Sequence, residues 1–151
     1  MNRVEAIQAI IEKHGEAFFI LSNGLTSREA VHFLRNDRSF YMLHGMGESL
    51  SVGMGLASAR PNLKVVVIEG DGNALMGMAS WSLEIPANLR HYIISNGEFE
   101  TTGGQKIPAF PCLPERTEIV EFTSENLGAP NPPAPTEIYK NARNWLSSSK
   151  E

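Results

Sequence analysis

The chain has one cysteine, Cys112, among 151 residues. That excludes an internal disulfide and fits a reducing compartment, with the cytoplasm as the expected location. It also lacks an excess of basic charge: 13 Lys and Arg face 17 Asp and Glu, a formal net charge of −4. A general nucleic-acid binder would carry a basic stripe, so that class is set aside. No apolar run approaches the length of a bilayer span. The first residues read as a polar helix, not as the charged start and apolar core of a signal peptide. Internal repeats are absent. What is present is ordinary for a globular protein: 42% hydrophobic and 20% charged residues. The length predicts a single domain over residues 1–151, long enough to bury a core.

Apolar spacing then divides the chain. Val4, Ile7, Ile10 and Ile11 recur at helical intervals, predicting a helix near 2–14 that stops at His14-Gly15. Ala17 to Leu21 is a continuous apolar run, the mark of a strand covered on both faces. Ser27 is the expected cap of the next helix. Phe40 to Leu43 reads as a second strand, and Glu48 to Arg60 as a helix rich in small residues. Its two glycines each cost about 1 kcal/mol relative to alanine, which implies close packing on the sheet or on another subunit. Lys64 to Gly70 is the third strand, Ala74 to Leu83 a helix, and Arg90 to Ser95 the fourth strand. Prolines 108, 111 and 114 break the following stretch into loop, and Glu118 to Phe122 alternates like a half-exposed strand. A proline-rich connector over 129–135 precedes a last helix from Thr136, with a frayed tail expected over 147–151. Strands alternating with helices predict an α/β fold with a parallel sheet and right-handed crossovers.

Two of the predicted strands end on short oxygen-bearing side chains. The third runs into Gly70-Asp71-Gly72, and the fourth into Ser95-Asn96-Gly97. Ligands of open α/β sheets sit outside such strand ends. A carboxylate plus an amide oxygen, with room for phosphate and water, suits Mg²⁺. The glycines let the backbone turn tightly and approach a phosphate without a Cβ in the way. Asn73 and Ala74 open the next helix, whose free N–H groups attract an anion. Alone, Asp71 would read equally as a helix cap or a local turn.

The whole pattern resembles a known family. Gly70-Asp71-Gly72, then Asn96 25 positions after Asp71, resembles the thiamine diphosphate motif of the decarboxylase and carboligase superfamily. The segment from Asn96-Gly97 to Thr102-Gly103-Gly104-Gln105 resembles phosphonopyruvate and sulfopyruvate decarboxylases, as does Gly45-Met46-Gly47 before a small-residue helix. The resemblance covers residues 18–105 well and departs afterwards, where an α/β unit of the family is missing. It implies a three-layer, Rossmann-like diphosphate-binding domain, shortened at its C-terminal end.

The resemblance also implies roles. Asp71 and Asn96 would hold Mg²⁺ through side-chain oxygens, and Glu98 through its main-chain carbonyl. Gly70, Gly72, Asn73 and Ala74 would surround the diphosphate. Ser22, Asn23 and Gly24 would line it too, or else form a plain turn. Met46 would prop the coenzyme in its bent form, or else fill core. The His44 carbonyl would accept from the aminopyrimidine, and its imidazole is the one weak catalytic candidate. Thr102 and Gln105 would close over the coenzyme, and Lys106 would meet an anionic group of the substrate. His14, His32 and His91 carry no signal. The activating glutamate of this superfamily sits on a separate pyrimidine-binding domain. Glu48, Glu69 and Glu84 do not match that context. The implied protein is therefore a half-site: one subunit of a two-component, α₂β₂-type decarboxylase for a 3-substituted pyruvate, a small anionic 2-keto acid. A carboligase subunit on the same coenzyme and a non-catalytic binding relic are the alternatives.

Overall fold

A computed structural model describes residues 1–34, 36–125 and 127–148. Ten regular elements and one 3₁₀ turn form three layers. Helix α1 (Arg3–Lys13) is followed by β1 (Phe18–Leu21), α2 (Leu25–Phe33), β2 (Ser39–Tyr41) and α3 (Ser49–Ala59). Then come β3 (Val65–Gly70), α4 (Asp71–Met76), the 3₁₀ turn Met78–Ser82, β4 (Leu89–Ser95), β5 (Thr117–Glu121) and α5 (Pro135–Ser148). The five strands are all parallel in the order β2-β1-β3-β4-β5. The order reverses between β1 and β3, which opens a crevice at their carboxyl ends.

The apolar runs explain why the sheet is covered twice. Phe19, Leu21, Val66, Ile68, Tyr92 and Ile94 face α1 and α2, where Ala6, Ile7, Ile10 and Ala30 meet them. Phe18, Ile20, Val65, Val67 and Leu89 face the other way, onto Leu50, Met54 and Ala57 of α3 and Ala142 of α5. Residues i and i+2 share a face of a strand, so a continuous apolar run serves both layers.

Several sequence expectations shift. Ser27 is not a cap. Gly24, at φ +83°, precedes α2, while the Ser27 hydroxyl donates back to the carbonyls of Leu21 and Ser22. The helix expected over 74–83 starts earlier and stops sooner: α4 has six residues and gives way to the 3₁₀ turn. A physical reason is the contact at Gly77, where a Cβ would lie 2.3 Å from the Gly47 carbonyl oxygen. Ser147 and Ser148 belong to α5 and are not a frayed tail, whereas 149–151 lie outside the described residues. The missing α/β unit is a loop over 96–116. It leaves β5 at the edge of the sheet, with Ile119 41% exposed.

The two glycines of α3 do different things. A Cβ on Gly53 would lie 2.2 Å from Cγ2 of Val67 in β3, so Gly53 brings the helix down onto the sheet. Gly55 meets nothing within 4 Å. Gly53→Ala is expected to lower the urea midpoint, because overpacking costs about 1–3 kcal/mol and outweighs the helix-propensity gain. Gly55→Ala is expected to raise it, with a gain in stability of up to about 1 kcal/mol. Equal effects at both positions in urea titrations would contradict this packing.

Candidate functional site

The register of β3 on β4 pairs Gly70 with Ile94, so Asp71 and Ser95 leave the sheet at the same level. Asp71 is 6% exposed, and its carboxylate ties the two tips together. Oδ1 accepts from the Gly72 N–H at 2.8 Å. Oδ2 accepts from the Ser95 hydroxyl at 2.7 Å and the Gly97 N–H at 3.1 Å. Asn96 Oδ1 accepts from the Glu98 N–H at 3.1 Å, and Nδ2 donates to Ser124 Oγ at 2.7 Å and Glu100 Oε2 at 3.1 Å. The Glu98 carbonyl accepts from the Glu100 N–H at 2.9 Å.

Counting lone pairs shows what is left over. A carboxylate has about four acceptor sites, and the three bonds on Asp71 leave one free. An amide oxygen and a peptide carbonyl have two each, and one is used on both Asn96 and Glu98. Each of the three expected metal donors thus keeps an unspent lone pair. No group of three or more His, Cys, Asp or Glu suited to a metal occurs among the described residues. The donors here are one carboxylate, one amide and one carbonyl. With a single anionic donor, the set suits a hard cation that brings further oxygen ligands with it.

These tips open into a cavity of about 120 Å³. Among the residues expected from the sequence, Asn23 and Gly24 from the end of β1 line it, as do Gly70, Asp71, Gly72 and Asn73 after β3. Asn96, Glu98 and Thr102 line it from the end of β4, and Met46 stands at its rim, 51% exposed. Asn23 Oδ1 is buried there without a partner. Ser22, His44, Ala74, Gln105 and Lys106 do not line the cavity. Ser22 lies beneath it, fully buried, and its hydroxyl accepts from the Gly70 N–H at 3.2 Å. Ala74 is core, and His44 is exposed. The Asn73 side chain turns to the Gly47 N–H at 3.0 Å and so fixes the loop that carries Met46. A larger cavity of about 510 Å³ at the outer edge of β2, beside Val31, Tyr41 and Glu137, holds none of these residues.

Residues 97–107 fold back as a closed hairpin. Phe99 N donates to the Gln105 carbonyl at 2.8 Å, and Ile107 N to that of Gly97 at 2.8 Å. Gly103 and Gly104, at φ +118° and +72°, make the turn. The hairpin lays the Phe99 ring over Gly72, 3.1 Å from where a Cβ would stand. Phe99, Arg3, Glu100, Thr101 and Phe122 also line the cavity and had no role in the sequence reading. Arg3 is 5% exposed and bridges Glu29 at 2.8 Å and Glu100. Burial pushes the Glu29 carboxyl up from its usual range, against the pull of Arg3.

His91, dismissed in the sequence, is fully buried beneath the tips. Nε2 lies 2.7 Å from Glu69 Oε1, and Nδ1 lies 3.0 Å from Thr117 Oγ1. Ser49, the first residue of α3, donates to Glu69 Oε2. This chain of contacts joins β3, β4, β5 and α3. A signal was available: a glutamate inside an apolar strand needs a partner on the same face.

Residues 22–135 match the model of the thiamine pyrophosphate enzyme family, C-terminal TPP binding domain. The chain belongs to this family. It is 41% identical to the sulfopyruvate decarboxylase subunit beta of Methanocaldococcus jannaschii over 109 residues, 70% of this chain and 57% of that one. It is 39% identical to the phosphonopyruvate decarboxylase of Streptomyces hygroscopicus over 109 residues, covering 27% of that protein. The chain thus spans little more than half of the first relative and about a quarter of the second. A solved 2-oxoglutarate:ferredoxin oxidoreductase from Magnetococcus marinus shares the fold, with a TM-score of 0.50 and 23% identity over 71% of this chain and 38% of that one. No helix among the described residues is long and apolar enough to cross a membrane.

Removing His91 leaves Glu69 buried with Ser49 alone. His91→Phe is expected to cost roughly 3 kcal/mol, the scale of breaking a buried pair. Chemical denaturation checks it, and a change below about 1 kcal/mol would mean that the pair contributes little.

Proposed function

We propose that this chain is the diphosphate- and Mg²⁺-binding subunit of a two-component, thiamine diphosphate-dependent decarboxylase for a 3-substituted pyruvate of the sulfopyruvate or phosphonopyruvate type, which releases CO₂ and an aldehyde. The observation that carries the reading is the unspent lone pair on each of Asp71, Asn96 and the Glu98 carbonyl, at two strand tips held side by side. With these three donors Mg²⁺ would still have room for phosphate oxygens and water. Asn23, through its amide N–H groups, would face the diphosphate with Gly24, Gly70, Gly72 and Asn73, all of which line the cavity. Met46 at the rim would wedge the coenzyme, and the His44 carbonyl would meet its aminopyrimidine.

Bound thiamine diphosphate supplies the electron sink for cleaving the carboxylate from a 2-keto acid. This chain's part is to hold and orient. Asp71 would anchor the cation, and the cation would fix the coenzyme's anionic end. Phe99 would exclude water above Gly72. None of the three glutamates weighed in the sequence lines the cavity. Glu69 is spent on His91 and Ser49, while Glu48 and Glu84 are exposed. A cavity of about 120 Å³ is also well below the ~300 Å³ or more of usual small-molecule sites. Both observations favour a second, pyrimidine-binding subunit that completes the pocket in an α₂β₂-type assembly. A cytoplasmic setting fits the exposed free Cys112.

Two measurements test this. With a pyrimidine-binding partner present, calorimetry should detect thiamine diphosphate binding that depends on Mg²⁺, and Asp71→Asn should weaken it by at least roughly 100-fold with the fold retained by circular dichroism. Binding indifferent to Mg²⁺ or to this substitution would refute the metal reading. Paired with a relative's pyrimidine-binding subunit, the chain should release CO₂ from sulfopyruvate or phosphonopyruvate, and alone it should not. A new carbon–carbon product when an aldehyde acceptor is supplied would point to carboligation.

A further inference from the structure

The side-chain amide of Asn96 can present either its oxygen or its nitrogen to a cation, and only the oxygen binds one. Its surroundings choose between the two. Both N–H groups of Nδ2 are spent on one side, against Ser124 Oγ at 2.7 Å and Glu100 Oε2 at 3.1 Å. Ser124 in turn donates to the same Glu100 oxygen at 3.1 Å, which closes a three-membered ring of contacts. A flipped amide would set Oδ1 against the Glu100 carboxylate, acceptor on acceptor. It would also set Nδ2 against the Glu98 N–H, donor on donor. Glu100 is therefore the side chain that, with the Glu98 N–H, specifies the amide's direction.

Glu100 is itself fixed from the far end of the fold. Its Oε2 accepts from Nη2 of Arg3, in the first turn of α1. Arg3 cannot wander: its other arm holds Glu29 of α2 at 2.8 Å, and its guanidinium lies 4.8 Å from the centre of the Phe122 ring. The backbone converges on the same spot, with Phe122 N donating to the Ser95 carbonyl at 2.9 Å and Thr123 N to that of Met1 at 2.9 Å. Arg3 lies ahead of residues 22–135, the stretch shared with the family.

We propose that Glu100, anchored by Arg3, is a positioning residue that turns Asn96 Oδ1 toward the divalent cation. The inference rests on the reading of Asn96 as a metal donor. It differs from a general role in ordering the loop, because it concerns the direction of one amide. That difference is measurable. An aspartate at position 96 has an oxygen at both ends, so it needs no orienting.

The test is Mg²⁺ affinity, measured by calorimetry on the full chain assembled with a pyrimidine-binding subunit at saturating thiamine diphosphate, across a double-mutant cycle. Glu100→Gln is expected to weaken Mg²⁺ binding by roughly 10–100-fold, the usual effect of losing an outer-shell partner. In an Asn96→Asp background the same substitution is expected to do no harm, or to improve binding by removing the repulsion between two carboxylates. Thermal melting of each variant without ligand checks that the fold persists. If Glu100→Gln fails to fold, Ser124→Ala replaces it, with a smaller loss expected in the Asn96 background only. Equal losses in both backgrounds would overturn the proposal in favour of loop ordering. No loss in the Asn96 background, with Asp71→Asn still abolishing binding, would overturn it while leaving the metal site intact. Absence of Mg²⁺-dependent binding in the unsubstituted assembly would overturn the functional reading and this proposal together.

Discussion

A buried carboxylate held by neutral donors alone governs the site. Asp71 sits at the end of β3, out of water, and receives two backbone N–H groups and one hydroxyl. Those bonds exist because β3 and β4 run parallel in one register, with Gly70 beside Ile94. A slip of one residue would turn every side chain of β4 to the other face of the sheet and take Ser95 away from Asp71. The pairing that builds the core therefore also builds the tips. Hydrogen bonds orient the carboxylate but do not balance its charge, and an uncompensated buried charge is costly. Arg3, whose side chain lines the cavity, is already shared by Glu29 and Glu100. Around the cavity one cation faces several carboxylates, which favours a divalent cation and disfavours a bare diphosphate.

Much of this was legible in the chain. Continuous apolar runs gave the strands, because a strand covered on both faces has no polar side to show. Gly70-Asp71-Gly72 and Asn96 marked two strand ends, and the parallel sheet brings strand ends together without further information. The illegible parts share a cause: they depend on contacts distant in sequence. Nothing local tells that Arg3 reaches Glu100, 97 positions away, or that Gly77 must yield to the Gly47 carbonyl. Ser27 looked like a cap by residue type, yet Gly24 takes the positive φ that starts the helix. Glu69 and His91 were readable in principle. Each interrupts an apolar strand. They sit on one face, since Val67 pairs with His91 and Glu69 lies two residues beyond Val67. Two polar residues on one buried face are each other's expected partners.

The same physics argues that the pocket is unfinished. A coenzyme site must exclude water from the reacting atoms, and here the walls stop short. Met46 and Met76 stand at the cavity's rim more than half exposed. Flexible apolar side chains at the rim of a polar cleft suit a surface that meets another. On the outward side of α3, Val52 is exposed and Gly55 leaves open space for a side chain. Gly53, two residues away, is by contrast in firm contact with the sheet. One helix thus divides its small residues between two tasks, close packing inward and a smooth face outward. If the outward face meets a pyrimidine-binding subunit, α3 links the two halves of the site. Its first residue, Ser49, is bonded to Glu69, which directly precedes Gly70 and Asp71. A partner pressing on α3 would then act, through a single buried hydrogen bond, on the strand tip proposed to hold the metal. Assembly of the two subunits and formation of the metal site would in that case be coupled through the Ser49–Glu69–His91 chain and not through the cavity wall.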